Sequence, residues 1–134
     1  MSIFIDERTR VCVQGITGRD GGFHTRAMLD YGTNVVAGVT PGKQGQNVEG
    51  VPVYDTLKRA CEEKGINTSV VYVPPVFAYD AVMEAIDNGI KLVLIITERI
   101  PRADVAKFLV AAKEADCTVF GPKREAILNP EDRV

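Results

Sequence analysis

The feature that most restricts how this chain can fold is an alternation. Short runs of β-branched and apolar residues are separated by amphipathic stretches, with Gly or Pro at most of the joints. Arg10–Gln14 (RVCVQ), Asn34–Val39 (NVVAGV), Thr68–Val73 (TSVVYV), Leu92–Ile96 (LVLII) and Thr118–Phe120 (TVF) read as strands. Phe23–Tyr31, a segment from Asp55 to about Lys64, Ala78–Asn88 and Pro101–Ala115 carry helical periodicity. Asp55 is placed to N-cap the second of these helices, Gly65 and Gly89 to stop the second and third, and Pro101 to sit in the first turn of the fourth.

Strand–helix–strand repetition implies right-handed crossovers between parallel strands. Strands that are apolar on both faces belong inside such a sheet, under helices. The expected fold is therefore α/β: a Rossmann-like, doubly wound, parallel five-stranded sheet. Val51–Tyr54 adds at most a short extended piece. With 134 residues the chain is the size of one domain with one core, taken as 1–134, of which 121–134 is expected to be an irregular tail.

Charge and cysteine content exclude several classes of function. The net charge is −2 and there is no run of Lys or Arg, whereas nucleic acids and anionic membranes need a concentrated basic surface. The opening MSIFIDERTR does not have the pattern of a secretory signal. The longest apolar stretch, around Leu92–Thr97, is far short of the roughly 20 residues that span a bilayer. Cys12, Cys61 and Cys117 are dispersed and odd in number, which indicates neither a zinc site nor a disulfide framework; a reducing cytoplasm is the expected location.

The residues with chemistry fall directly after the strands. Gly15-Ile16-Thr17-Gly18-Arg19-Asp20-Gly21-Gly22 follows the first, Thr40-Pro41-Gly42-Lys43 the second, and Tyr72-Val73-Pro74-Pro75 ends the third. Thr97-Glu98-Arg99-Ile100-Pro101 follows the fourth and Gly121-Pro122-Lys123 the fifth. In a parallel sheet these loops share one edge, where open α/β sheets bind ligands at the switch in strand order. Gly15, Gly18 and Gly21 lead into a helix whose N-terminal amides suit a diphosphate, and Thr17 adds a hydroxyl. No Gly-Lys-Ser/Thr follows, so this is not a nucleoside-triphosphatase loop.

The loop after the second strand has no carboxylate to hold a ribose diol, which disfavours NAD. Lys43 instead offers a cation to a ribose phosphate, as carried by coenzyme A or NADP. Thr97 and Glu98 offer a donor and an acceptor near the switch point, and Tyr72 either flanks a nucleotide or fills core space. His24, the single histidine, reads as structural. No metal cluster and no catalytic set can be assembled, and Glu62-Glu63 reads as a solvated helix face.

Several segments together resemble the CoA-binding domain of succinyl-CoA synthetase α subunits. They are Gly15-Ile16-Thr17-Gly18-x-x-Gly21-x-Phe23-His24, Tyr31-Gly32-Thr33, Gly38-Val39-Thr40-Pro41-Gly42-Lys43, Tyr72-Val73-Pro74, Ala85-Ile86-Asp87-x-Gly89-Ile90-Lys91 and Ile96-Thr97-Glu98-x-Ile100-Pro101. The similarity runs in one register from Met1 to about Pro122. It implies that Thr17, Gly18, Arg19 and Asp20 line the CoA phosphate loop, and that Lys43 and Ile96–Glu98 touch the same ligand. The expected coenzyme A site is thus Gly15, Thr17, Gly18, Arg19, Asp20, Gly21, Val39, Pro41, Lys43, Tyr72, Ile96, Thr97 and Glu98.

The chain also departs from the family pattern. The α subunits carry a second domain with a phosphorylated histidine, which lies outside these 134 residues; His24 matches a different family histidine. After the fifth strand Gly121-Pro122-Lys123-Arg124 stands where the family continues Gly-Pro-Asn-Cys. Arg19-Asp20 replaces a small polar residue and Gln, and Arg99 replaces a usual Gly. The resemblance implies a CoA-holding domain or subunit of an acid–CoA ligase, not catalytic alone, with a protein partner for the missing parts or a homo-oligomer. A non-enzymatic CoA sensor and an NADP-binding oxidoreductase fragment are the alternatives.

Overall fold

A computed structural model describes residues 7–121. In chain order the elements are β1 (Val11–Gln14), α1 (Arg19–Tyr31), β2 (Val35–Val39), β3 (Asn47–Val48), β4 (Val51–Tyr54), α2 (Leu57–Lys64), β5 (Thr68–Val71), α3 (Pro75–Asp87), β6 (Leu92–Ile95), α4 (Arg102–Glu114) and β7 (Thr118–Phe120). The expected irregular tail, apart from Gly121, lies outside the described residues.

The sheet has seven strands, not five, in the order β3-β4-β2-β1-β5-β6-β7. The five expected strands are all present and all parallel. The two additions come from the loop after β2. Val51–Tyr54 pairs parallel with β2, setting Gly38 opposite Val53, and β3 folds back antiparallel on β4. The β3–β4 connection is two residues, Glu49 and Gly50, both at positive φ (53° and 85°), the backbone that a tight hairpin of right-handed twist demands. From β1 the chain moves outward through β2 and β4, then returns to β5 on β1's other side. The switch in strand order thus lies between β1 and β5.

Two hydrophobic clusters sandwich the sheet. On one face α2, α3 and α4 pack Leu57, Ala81, Val82, Ala85, Val105 and Phe108 against Cys12, Ala37, Val71, Val93 and Ile95. On the other, α1 alone contributes Met28 and Leu29, over Val11, Val13, Val35, Val51, Val53 and Val70. Residues adjacent along a strand, such as Val70 and Val71, go to different clusters, as the two-residue pleat requires.

Several helix ends differ from the sequence reading. α1 begins four residues early, at Arg19, so Arg19 and Asp20 are first-turn residues of a helix capped by Gly18. The cap of α2 is Thr56, whose hydroxyl accepts from the Arg59 amide at 3.2 Å; Asp55 is engaged elsewhere. Gly65 stops α2 in the left-handed conformation, as expected. Asn88 ends α3, and Pro101 stands at the cap of α4 rather than within it. Among the described residues no helix is long and apolar enough to cross a membrane.

Candidate functional site

The carboxyl ends of β1, β5 and β6 open into a cavity of about 610 Å³. Its floor and walls are Gly15, Gly18, Arg19 and Asp20 from the start of α1, Tyr72–Pro75 after β5, and Ile96–Glu98 after β6. The amides of Arg19, Asp20 and Gly21 have no intrahelical acceptor, and Gly18 supplies no side-chain cap. Two of these residues, Arg19 and Asp20, line the cavity at the positive end of a 13-residue helix.

Backbone contact fixes the loop beneath that helix. Gly15 sits at φ +88°, and a Cβ there would lie 2.9 Å from the Val73 amide nitrogen, so the loops after β1 and β5 touch main chain to main chain. Gly21 is buried directly over the Gly15 carbonyl, with no space for a side chain. It lines neither cavity; its place in the motif is to let α1 pass close over the loop. Gly18 donates its amide to the Gly15 carbonyl at 3.1 Å, closing the turn.

A second cavity of about 460 Å³ shares the Val73–Pro74 wall with the first. Gln14, Val39, Thr40 and Pro41 form one side, and Phe77, Asp80, Ala81 and Glu84 of α3 the other. Gln14 is 2% exposed and fully paired: its amide donates to Ala81 O at 3.0 Å, and Ser69 Oγ donates to its Oε1 at 2.6 Å. Glu84 Oε2 accepts from the Leu57 amide at 2.8 Å, so a carboxylate from α3 supports the start of α2.

The thirteen sequence-derived positions thus divide. Gly15, Gly18, Arg19, Asp20, Tyr72, Ile96, Thr97 and Glu98 line the first cavity; Val39 and Pro41 line the second. Thr17, Gly21 and Lys43 line neither. Thr17 ties the two loops, its hydroxyl donating to Thr40 Oγ1 at 3.1 Å. Lys43 is exposed, two residues beyond Pro41 at the rim of the second cavity, with no ion pair among the described residues. Thr97 is 8% exposed and donates its hydroxyl to Val73 O at 2.7 Å, joining the strand ends on which the cavity rests.

Residues that the sequence reading left out of the site include Val73, Pro74 and Pro75, together with Gln14, Thr40, Phe77, Asp80, Ala81 and Glu84. One signal for the last group was available: Asp80 and Glu84 stand four apart and so share a face of α3. Tyr72 stands between cavity and core. It lines the cavity and is half-buried, stacked on His24 at 5.2 Å between ring centres, with Phe23 edge-on to His24 at 5.3 Å. Burial, and then the neighbouring Asp20 carboxylate, push the Tyr72 phenol above its ordinary value. Burial likewise pushes the thiols of Cys12, Cys61 and Cys117 up, away from the reactive thiolate. The arrangement is one that binds: amide donors, an apolar wall and a few placed hydroxyls.

An open, mainly parallel sheet with a glycine-lined helix N-terminus at its switch point defines a nucleotide-binding domain of the Rossmann type. The chain belongs to the CoA-binding domain family, whose model matches residues 6–99. It is 56% identical over 130 residues to the succinate–CoA ligase [ADP-forming] subunit alpha 2 of Archaeoglobus fulgidus, covering 97% of this chain and 45% of that protein. It is 50% identical over 132 residues to the corresponding alpha subunit of Staphylococcus epidermidis, covering 98% of this chain and 44% of that protein. The chain therefore spans a little under half the length of these curated relatives.

Among solved structures, a Pyrococcus horikoshii protein superposes with a TM-score of 0.74 at 20% identity, covering 86% of this chain and 28% of that one. An amine dehydrogenase of Mycobacterium smegmatis does so at 0.67 and 20% identity, covering 84% and 38%. Both likenesses concern the fold.

Proposed function

We propose that this domain holds coenzyme A along the two neighbouring cavities and serves as the CoA-binding part of an acid–CoA ligase α subunit. The observation that carries the reading is that two cavities lie side by side at the carboxyl edge of the sheet. The first cavity lies at the start of α1, lined there by Gly18, Arg19 and Asp20, and shares its Val73–Pro74 wall with a second, more apolar one. An extended ligand with a diphosphate in its middle fits such a cleft. In this reading the amides of Arg19 and Asp20 receive the diphosphate, Lys43 pairs with the ribose 3′-phosphate at the rim, and Ile96–Glu98 border the pantetheine arm. Gly15 and Gly18 allow the close approach, Gly21 lets α1 pass over the loop beneath it, and Val39, Pro41 and Tyr72 wall the ligand.

The relatives are named as ADP-forming succinate–CoA ligase α subunits. By that kinship the reaction served joins an acid to CoA at the expense of a nucleoside triphosphate, through an acyl phosphate. The phosphohistidine step belongs to sequence outside these 134 residues, and a partner subunit supplies activation of the acid. This domain's own share is to hold CoA by its phosphates.

A thermal-shift comparison of CoA, NADPH and NAD tests the reading. Ligand at about 100 times its dissociation constant stabilises a fold by roughly 2.7 kcal/mol. CoA is expected to give that shift, NADPH and NAD little or none. A larger shift with NADPH would replace the CoA reading with a reductase one.

A further inference from the structure

We propose that Asp55 is a positioning residue for Lys43, and through it sets the preference of the site for a ligand bearing a ribose phosphate. The inference rests on the CoA reading above. Its basis is how the Thr40–Gln46 loop is held. One carboxylate oxygen of Asp55 accepts from the Gly42 amide at 2.9 Å and from the Gln44 amide at 3.1 Å. These are the amides on either side of Lys43. The Asp55 amide in turn donates to the Gln44 side chain at 3.2 Å. Around this clamp the Lys43 amide donates to Thr40 O and the Gln46 amide to Lys43 O, each at 3.1 Å.

Main-chain bonds to β4 hold the two ends of this segment, Thr40 N to Tyr54 O at 3.0 Å, Gly45 N to Val53 O at 3.1 Å and Val53 N to Gln46 O at 3.0 Å, and leave the turn at Gly42–Gln44 to Asp55. Residues 41–47 are all exposed, so no core packing anchors them. Gly42 and Gly45 lie at φ +80° and +93°, conformations that glycine reaches freely and leaves as freely. An unclamped Lys43 must be ordered by the ligand at the ligand's expense. Asp55 is free for this work because Thr56, its neighbour, caps α2. The acid nevertheless lowers the positive field that an approaching phosphate meets. Acceptor geometry and charge therefore act in opposite directions, which makes the role testable.

Binding of CoA and dephospho-CoA to the 134-residue chain is measured by calorimetry for wild type, Lys43→Ala, Asp55→Ala, Asp55→Asn and the double variant Lys43→Ala/Asp55→Ala. Asp55→Ala is expected to weaken CoA by about threefold to tenfold, the scale of ordering one long side chain, and to leave dephospho-CoA unchanged. Asp55→Asn keeps the acceptor oxygen and is expected to bind CoA as tightly as wild type or more tightly. The double variant should lose no more CoA affinity than Lys43→Ala.

Equal losses for both ligands in Asp55→Ala would assign Asp55 to general stability and overturn the proposal. So would an Asn variant as weak as the Ala variant. If Lys43→Ala weakens CoA selectively while Asp55→Ala does not, the positioning role fails and the Lys43 contact stands. If Lys43→Ala weakens both ligands alike, the contact itself fails, and the positioning role with it.

Discussion

The hydroxyl of Thr17 donates to the hydroxyl of Thr40 at 3.1 Å, and the Thr17 amide points at the same oxygen at 3.4 Å. Thr17 follows β1 and Thr40 follows β2, so one pair of side chains joins the glycine-rich loop to the loop that bears Lys43. Replacing Thr40 by Val keeps the shape and removes the acceptor. Neutral hydrogen bonds contribute about 0.5–1.5 kcal/mol each, so a stability loss of about 1 kcal/mol and a roughly fivefold weaker hold on CoA are expected. Urea denaturation and calorimetry measure the two, and an unchanged CoA affinity would mean that the loops are set independently.

The paired glycines of α1 should respond in opposite ways to alanine. A Cβ on Gly21 would overlap the Gly15 carbonyl oxygen and stand 3.0 Å from its carbon and 3.1 Å from Ile16 Cα, all main chain with nowhere to go. Overpacking of this kind costs about 1–3 kcal/mol. A Cβ on Gly22 would meet only Ile16 O at 3.6 Å and Val48 Cγ1 at 3.7 Å, ordinary contacts. A mid-helix Gly→Ala change with room to spare gains about 0.5–1 kcal/mol. Gly21→Ala is therefore expected to lower the denaturation midpoint and Gly22→Ala to raise it.

The same two glycines show why the start of α1 was hard to read. Gly18-Arg19-Asp20-Gly21-Gly22 has the composition of a loop, and only the close passage of the helix over Gly15 explains a helix that begins there. The five parallel strands were legible because each is a short run dominated by β-branched and apolar residues, the composition of a buried parallel strand. β3 and β4 were not. Two residues give β3 no periodicity, Pro52 argues against a strand within β4, and Glu49-Gly50 is a less familiar hairpin pair than Asn-Gly. The edge of the sheet that carries the site followed from topology alone. The wall built from Phe77, Asp80 and Glu84 did not, since acids spaced along a helix look the same whether they face solvent or a cavity. Asp55 was assigned to the wrong partner, because capping potential belongs equally to Thr56 and only the folded loop decides between them.

Stability should fall at alkaline pH. The Cys12 thiol is fully buried, and burial foremost, then Cys61 and Glu84, pushes it well above its ordinary value of about 9. Tyr72 is raised as well, by burial first and then by Asp20. An acid whose folded value is raised stays protonated in the fold after the unfolded chain has ionised. Its stability contribution is complete below the unfolded value and is lost as pH rises from there toward the folded one. From about pH 9 upward each such group steepens the decline, by at most about 1.4 kcal/mol per pH unit. Urea midpoints between pH 7 and 10.5 measure it, and Cys12→Ala should flatten the decline. A slope unchanged by that substitution would place the loss elsewhere.

Asp20 puts a carboxylate in the first turn of α1, in the lining of the first cavity, where the proposed CoA reading puts the diphosphate. Two effects of that charge oppose each other. An acid near a helix N-terminus contributes about 0.3–1 kcal/mol to the helix. The same charge repels an approaching phosphate, by about 1 kcal/mol at a separation of 4 Å even in bulk water and by more where water is partly excluded. Asp20→Asn is therefore expected to lower the stability of the ligand-free chain by a few tenths of a kcal/mol, on the scale of that dipole effect. It should also tighten CoA by about threefold to tenfold, most at low salt, where screening is weakest. Spectrophotometric titration should show the Tyr72 phenol ionising at lower pH in the variant, since Asp20 is one of the two causes that raise it. Weaker CoA binding in Asp20→Asn would mean that the carboxylate pairs with the Arg19 guanidinium or accepts a hydrogen bond from the ligand instead of facing phosphate. The diphosphate would then have to lie away from the first turn of α1.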